Sequence, residues 1–453
     1  MGRKPFRKRA GSDGNHSSQD FGGQMNRTGT FSKPLQHDEA SVPHASFVRK
    51  LVDPETSKYF TEIANVIEGS EIDLEERAVI CGNALEEARG KEVQLATDYI
   101  ISHTLQTLLE GCSVEHLCGF LRNCQSNFSL IAMDRSGSHV VETALKALAM
   151  HLQDTDNHIL IEDTLTTISR MIVVNPVDIM CNCYGSHVIR SLLCLCGGVP
   201  LDPSGFHSTK SSTVLAERLN SRVSSQSNND LKNLQQRFPE LLEFLVSEML
   251  SCARKDMAVL RVNQYGSLVL QTSLKLLARQ EQLLLDIVPA ILGCSSENAN
   301  EGNLIENTVV QKLLPLMEKT AFSHLMEVIL EVAPDSLYEE LFVKVFGNSL
   351  FPLSSQQCGN FVVQALISHA RAKDQCSQAL AAAVCAMDES PRCIVPRILF
   401  LDKYFSSEDK SNCYWPDGVK MHVVGSLILQ TIFRLPCEFI QSYITSITSL
   451  EDS

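Results

Sequence analysis

One nine-residue pattern recurs along this chain, and any fold it adopts must give seven similar segments similar surroundings. The copies are I-S-H-T-L-Q-T-L-L from Ile101, G-S-H-V-V-E-T-A-L from Gly137, G-S-H-V-I-R-S-L-L from Gly185, G-S-L-V-L-Q-T-S-L from Gly266, F-S-H-L-M-E-V-I-L from Phe322, G-N-F-V-V-Q-A-L-I from Gly359 and G-S-L-I-L-Q-T-I-F from Gly425. Their second residues stand at 102, 138, 186, 267, 323, 360 and 426, and the intervals 102 to 138 and 323 to 360 are 36 and 37 residues. Self-similarity at that period marks a helical-repeat array, in which each unit completes its core only by stacking on its neighbours. The longer intervals leave room for insertions or for a degenerate repeat that lacks the motif.

Helical geometry splits each copy into two faces. Val140, Val141, Ala144 and Leu145 fall at i, i+1, i+4 and i+5, an apolar face for packing on neighbouring helices. Ser138, His139 and Glu142 share a different face, close enough to act on one object. The first member of this trio is Ser102, Ser138, Ser186, Ser267, Ser323, Asn360 or Ser426. The third is Gln106, Glu142, Arg190, Gln271, Glu327, Gln364 or Gln430. The middle one is a flat ring in five of seven copies (His103, His139, His187, His324 and Phe361), with Leu268 and Leu427 as the exceptions. A short hydrogen-bonding group, a longer one four residues on and a ring between them are the parts needed to bond a base edge while stacking on its neighbour. A single copy reads more simply as part of an armadillo or HEAT-like scaffold that binds protein; recurrence of the same restricted choices favours base reading.

Composition narrows the alternatives. The chain has 453 residues, 44% hydrophobic with one Trp, so aliphatic helix packing has ample material. No run of 18 uncharged apolar residues appears and the N-terminus has no signal-peptide core, so the expectation is a soluble intracellular protein with no membrane partner. The sixteen cysteines are scattered and form no paired C-x-x-C knuckles, which reads as buried reduced thiols with no zinc site and no cofactor. The net charge of -14 excludes a blanket phosphate-binding surface, although residues 1 to 50 carry nine Lys/Arg against four Asp/Glu. A hydrolase would need converging carboxylates, and Glu142 and Glu327 lie in separate repeats; no strand alternation or phosphate loop is evident, so no catalytic residue is assigned.

Residues 1–45 read as a disordered polar tail whose cluster Arg3, Lys4, Arg7, Lys8 and Arg9 suits a nuclear or nucleolar address. The repeat array occupies 46–453, interrupted by polar insertions near 199–236 and 294–304 that leave similar helical segments on either side.

With these residues in view the chain resembles the Pumilio (Puf) family, and within it the nucleolar-protein-nine-like branch, most like its plant members. The motif N-x-Y-G-S-x-V-(I/L)-x-x-x-L fits at Asn182 to Leu193 and at Asn263 to Leu274, and D-P-E-T-S-K-Y-F from Asp53 and M-D-R-S-G-S-H-V from Met133 also look like that branch. The resemblance implies an all-α fold, a curved right-handed α-solenoid of three-helix Puf repeats whose concave face reads single-stranded RNA. It implies one base per repeat, set by the first and third trio residues, with the middle residue stacking. Glu142 and Glu327, each beside a Ser, then suit guanine, whose N1 and N2 donors a carboxylate accepts together. Asn360 with Gln364 resembles the uracil pair; Ser267 with Gln271, and Ser102 with Gln106, resemble the adenine pair; Ser186 with Arg190 suits cytosine. Antiparallel reading gives 5'-UGACG-3', with Ser102 and Gln106 adding a purine on the 3' side.

The resemblance further implies precursor ribosomal RNA as the ligand, a nucleolar place in ribosome biogenesis, pre-ribosomal proteins as partners, a monomeric state and action by occupancy. The family's pattern places more repeats and a basic tail beyond the last segment, so the chain reads as a shortened form with a repeat missing after Gln375. Tyr184 and Tyr265 read as packers behind the reading helix, Arg135, one turn ahead of His139, either as a group that stacks or pairs with a phosphate or as a surface salt link, and His369 as a structural or exposed imidazole.

Overall fold

A computed structural model describes residues 51–69, 73–152, 155–199, 201, 236–294, 304–347 and 349–371, with six further positions between 425 and 444. These fall within the unit Arg49–Ser453. The basic tail, most of both polar insertions and the stretch after Arg371 that contains Gln375 lie outside the described residues. Everything described is helix, turn or connection; among the described residues there is no strand, and no helix is long and apolar enough to cross a membrane.

The described residues open with helix α1 (Pro54–Gly69) and then repeat one sequence of elements: a first helix, a short second helix and a third helix that carries the polar trio. The units are α2 (Leu74–Glu87), α3 (Glu92–Thr97) and α4 (Ile101–Gly111); then α5 (Val114–Asn123), α6 (Phe128–Met133) and α7 (Arg135–His151); then α8 (His158–Val174), α9 (Pro176–Cys181) and α10 (Cys183–Gly197). They continue with α11 (Pro239–Cys252), α12 (Met257–Leu260) and α13 (Gln264–Leu276), and with α14 (Glu281–Leu292), α15 (Asn307–Leu313) and α16 (Thr320–Val332). The last described unit is α17 (Asp335–Leu341), α18 (Leu350–Ser355) and α19 (Gly359–Ser368). The third helices pack in order, α4 on α7, α7 on α10, α10 on α13, α13 on α16 and α16 on α19, so the trios form a row. This is an all-α solenoid of three-helix repeats, as the resemblance to the Puf family implied.

Local signals explain where the helices start and stop. Pro176 and Pro239 open α9 and α11, where a missing N–H costs nothing. Asp73 caps α2 by accepting from the Glu76 N–H at 2.8 Å. Helices α10 and α14 end on Gly198 and Gly293, at φ 74° and 97°, a left-handed conformation that an added Cβ would strain.

The apolar frame is buried completely: Val140, Val141, Ala144 and Leu145 in α7, and Val188, Ile189, Leu192 and Leu193 in α10, have no exposed surface. Two adjacent pairs one turn apart span a wide arc, which is what a helix needs when it is packed by a like helix on either side. Each such Leu contributes about 1.5 to 3 kcal/mol by leaving water.

The recurrent glycine has a steric cause. A Cβ on Gly137 would sit 2.5 Å from the Ile131 carbonyl oxygen at the end of α6; on Gly185 it would sit 2.7 Å from the Ile179 oxygen at the end of α9. The tight bend between second and third helices brings backbone onto backbone, so no side chain can yield. At Gly266 the approach to the Leu260 carbonyl is looser, at 3.1 Å, and the closer atom, at 2.9 Å, is a movable Leu260 methyl. Two copies replace the glycine with Ile101 and Phe322, both buried, and the Arg261 guanidinium lies 5.9 Å from the Phe322 ring centre.

Polar contacts tie the repeats together. Arg122 of α5 donates to Asp163 of α8 at 2.8 Å, and the Tyr338 hydroxyl of α17 donates to the Leu366 carbonyl of α19 at 2.5 Å. Glu340 accepts the backbone N–H groups of Leu304 and Ile305 at 2.8 and 3.1 Å and pairs with Lys344, which fixes the chain where it re-enters after the second polar insertion. Of the cysteines described, Cys81, Cys112, Cys118, Cys124, Cys194, Cys196 and Cys294 are free and buried; Cys252 is free but exposed. Burial pushes the Cys112, Cys194 and Cys196 thiols up to about 12, which keeps them protonated.

The glycine geometry orders three substitutions. Gly137→Ala and Gly185→Ala are expected to lower unfolding stability by about 1 to 3 kcal/mol, the usual cost of overpacking. Gly266→Ala should cost clearly less, and urea unfolding of the three variants checks the ranking.

Candidate nucleic-acid interface

Four of the third helices, α4, α7, α10 and α13, begin at a polar cap placed four residues before the first trio member. The Asp134 carboxylate accepts from the N–H groups of Ser136 and Gly137 at 2.8 and 3.0 Å. Asn182 accepts from Tyr184 and Gly185, and Asn263 from Tyr265 and Gly266, all at 2.9 Å. Asp98 does the same for Ile100 and Ile101 at 2.9 Å. These caps fix the rotation and start of the helix, and therefore the direction in which the trio points. Sequence reasoning included Asn182 and Asn263 within a motif but missed the shared role; the signal was an Asp or Asn at one register in four copies.

Six of the seven first trio residues are buried, and Ser426 is half-buried. Ser102, Ser138, Ser186, Ser267, Ser323 and Asn360 are each at most 2% exposed. Most of the serine hydroxyls donate to the carbonyl three residues earlier: Ser102 to Tyr99 at 3.3 Å, Ser138 to Arg135 at 3.2 Å, Ser186 to Cys183 at 3.1 Å and Ser323 to Thr320 at 3.1 Å. Ser267 instead donates across to the Ala321 carbonyl of the next unit at 2.7 Å. The register thus requires a small group that satisfies itself in the cleft between adjacent helices, a constraint a helical-wheel argument cannot see. Asn360 donates to the carbonyls of Gln356 and Gln357 at 2.9 and 2.6 Å.

The middle residues stand out beside them. His103 and His139 are exposed, and His187, Leu268, His324 and Phe361 are half-buried. The Tyr99 and His103 rings meet edge to face with centres 6.1 Å apart.

The third residues fold back onto their own trio. Gln106 donates to the Ser102 carbonyl at 3.1 Å, Gln271 to the Ser267 hydroxyl at 3.0 Å and Gln364 to the Asn360 side-chain oxygen at 2.9 Å. The carboxylates of Glu142 and Glu327 lie 3.8 and 3.7 Å from the imidazoles of His139 and His324. In the seventh segment the described positions show the same habit, with Gln430 donating to the Ser426 hydroxyl at 3.5 Å. Two further hydroxyls enter the row from neighbouring units, Thr143 beside Gln106 and Ser191 beside Glu142.

Arg190 departs from the open donor that its register suggested. It is 4% exposed, donates from Nε to the Ser186 carbonyl at 3.3 Å and lies with Nη2 3.0 Å from the His187 Nδ1. Burial lowers its pKa, and the nearby Cys194 and Glu142 oppose that shift. An arginine remains charged through such a change. Tyr184 and Tyr265 are half-buried, and burial with the neighbouring Cys183 raises the Tyr265 phenol. Arg135 is exposed beside the row; His369 is half-buried away from it. Among the described residues no three His, Cys, Asp or Glu side chains come together as a metal site.

A family profile described as NOP9-like PUF repeat domain matches residues 90–384, well over half of the chain. The chain belongs to the NOP9-like PUF repeat family. Within it, the chain is similar to Pumilio homolog 23 of Arabidopsis thaliana, 52% identical over 92% of this chain and 61% of that protein. It is similar at 25% identity to human Nucleolar protein 9, over 72% of this chain and 50% of that one. The chain thus spans about half to three-fifths of the length of these NOP9-like relatives. A solved structure of APUM23-GGAUUUGACGG superposes with a TM-score of 0.67 at 51% identity, covering 88% of this chain and 79% of that one. Structures of APUM23-GGAAUUGACGG and APUM23-GGAGUUGACGG superpose with TM-scores of 0.66 and 0.67.

The caps give a direct expectation. Asn182→Ala should cost about 0.5 to 2 kcal/mol of unfolding stability, as cap removals do. Asn182→Asp, which keeps the accepting oxygen, should restore most of it in the same urea titration.

Proposed function

We propose that this chain binds single-stranded RNA along its row of third helices, one base per repeat, with the preference 5'-UGACG-3' followed by a purine. The observation that carries this reading is a match of letters. The three oligonucleotides seen with the relative differ only at their fourth position and all end in UUGACGG. Within that ending stands UGACG followed by G, the order obtained by reading the trios from Asn360 back to Ser102. The assignments are U for Asn360 and Gln364, G for Ser323 and Glu327, A for Ser267 and Gln271, C for Ser186 and Arg190, G for Ser138 and Glu142, and the closing purine for Ser102 and Gln106.

The geometry supports a division of labour. The buried first residue sets the floor of each subsite, the ring stacks, and the third residue, held back in the free chain, turns to the base edge. For Glu142 and Glu327 the acceptor oxygens suit the paired donors of guanine. His103, His139, His187, His324 and Phe361 supply stacking surfaces, and Leu268 supplies less. Ser426 and Gln430 continue the row toward the 5' side.

Relatives called Nucleolar protein 9 support a finer proposal: that the RNA is a ribosomal precursor, met in the nucleolus during ribosome biogenesis and in the company of pre-ribosomal proteins. In this reading the chain acts by occupying its site rather than by catalysis, as a monomer. Residues 1–45 serve as the address.

Anisotropy titration of the purified chain with 5'-UGACGG-3' and its single-base variants tests the proposal. Each substituted letter should cost about 1 to 3 kcal/mol, with the guanines opposite Glu142 and Glu327 the least replaceable. Replacing Ser138, His139 and Glu142 together with Ala should weaken binding and abolish preference at the fifth letter. Equal affinity for all sequences would sink base reading and leave a protein-binding scaffold as the better account.

A further inference from the structure

The residue immediately after the third trio member is a hydroxyl in several repeats, and its behaviour depends on what the preceding repeat presents. Thr143 of α7 donates its hydroxyl to the Gln106 Oε1 of α4 at 3.4 Å. Ser191 of α10 donates to the Glu142 Oε1 of α7 at 3.3 Å. In both cases the preceding repeat offers an acceptor oxygen. Thr272 of α13 follows Arg190, which offers only donors, and it donates instead to the Leu268 carbonyl of its own helix at 2.9 Å. Thr107, in the first unit of the row, likewise donates to its own helix, at the His103 carbonyl at 3.3 Å.

We propose that Ser191 and Thr143 are positioning residues that set the base selectivity of the preceding repeat, by fixing the acceptor oxygens of Glu142 and Gln106. The proposal rests on the base-reading function above. A carboxylate that is to accept from guanine N1 and N2 together must present both oxygens in the plane of the base. A hydroxyl from the adjacent helix removes much of the rotational freedom of Glu142 about its last bond while leaving each oxygen a lone pair for the base. For Gln106 the same contact decides which end of the amide is oxygen. Its Oε1 meets Thr143 while its Nε2 meets the Ser102 carbonyl, so the donor and acceptor shown to a base are assigned in advance. Selectivity at one letter is therefore written partly in the following repeat, outside the trio that reads it.

The test uses the full chain with Ser191→Ala and Ser191→Thr, and 5'-UGACGG-3' against versions with adenine at the fifth or the second letter. In Ser191→Ala the preference for guanine over adenine at the fifth letter should fall about two- to tenfold, the worth of one net hydrogen bond. Preference at the second letter, opposite Glu327, should stay unchanged, and Ser191→Thr should restore the fifth. Thr143→Val should likewise loosen only the sixth letter, while Thr272→Val leaves the fourth as it was. An unchanged fifth-letter ratio in Ser191→Ala would overturn the proposal while base reading stands. An equal loss for every RNA would overturn it too, as a merely structural effect. Absence of any letter preference in the unaltered chain would overturn both.

Discussion

The rest of this structure depends on two-sided packing of the third helices. Helices α7, α10, α13 and α16 are each buried between a like helix before and a like helix after, and the adjacent apolar pairs represented by Val188, Ile189, Leu192 and Leu193 are fully enclosed as a result. The packing holds the third helices in register, so the polar residues on their open side form a row. It also makes position within the cleft decisive. Ser186, two residues ahead of Val188, is swallowed by the packing, whereas His187, next to Val188, emerges. The glycine before the serine completes the arrangement, because the second helix ends with its carbonyl against that Cα. Frame, cleft and close approach are one constraint seen from three sides.

That constraint explains what the sequence made legible. A period of 36 or 37 residues, an aliphatic frame and a restricted trio are all one-dimensional signals, and they led to the right class of fold and to the NOP9-like PUF family. The row of trios followed from them. What did not follow was depth. A helical wheel places Ser138 and Glu142 on a shared face, but only the neighbouring helix shows that Ser138 is enclosed and satisfied by its own backbone. Nor does the wheel show that Arg190 is enclosed beside Ser186 and His187. The capping role of Asp98, Asp134, Asn182 and Asn263 was visible as a register but is physical only when the orphan N–H groups at the helix start are counted. Contacts between repeats, such as Ser191 with Glu142, have sequence separations that no local pattern encodes.

Charge gives the array its character as a binding surface. With a net charge of -14, the chain has little long-range attraction for a polyanion. In the proposed function, affinity for RNA comes from short-range contacts with the bases, through stacking on the rings and bonding to edges, and such contacts discriminate while phosphate contacts do not. An acidic reader sacrifices non-specific binding and keeps the specific part. Under the proposed base reading, acidic heads such as Glu142 and Glu327 fit that economy, because a wrong base would leave a desolvated carboxylate unpaired.

The same logic separates the letters by cost. In the proposed reading the glutamines exchange one hydrogen bond for another on turning from Ser267 or Asn360 to a base, so little is lost. Arg190 is different. To meet a base it must leave the Ser186 carbonyl and the His187 ring, and it must draw away from a pocket whose burial already disfavours its charge. Leaving that pocket regains solvation for the guanidinium, which offsets the broken contacts, so the balance turns on whether the base supplies acceptors as good as those surrendered. Cytosine offers its O2 and N3 together, and a guanidinium fork can engage both. A base that offers one acceptor does not repay the two contacts given up. Burial of Arg190 in the unbound chain lowers the affinity of this subsite for every base alike, so the proposed preference for cytosine comes from the second acceptor that the guanidinium fork can engage.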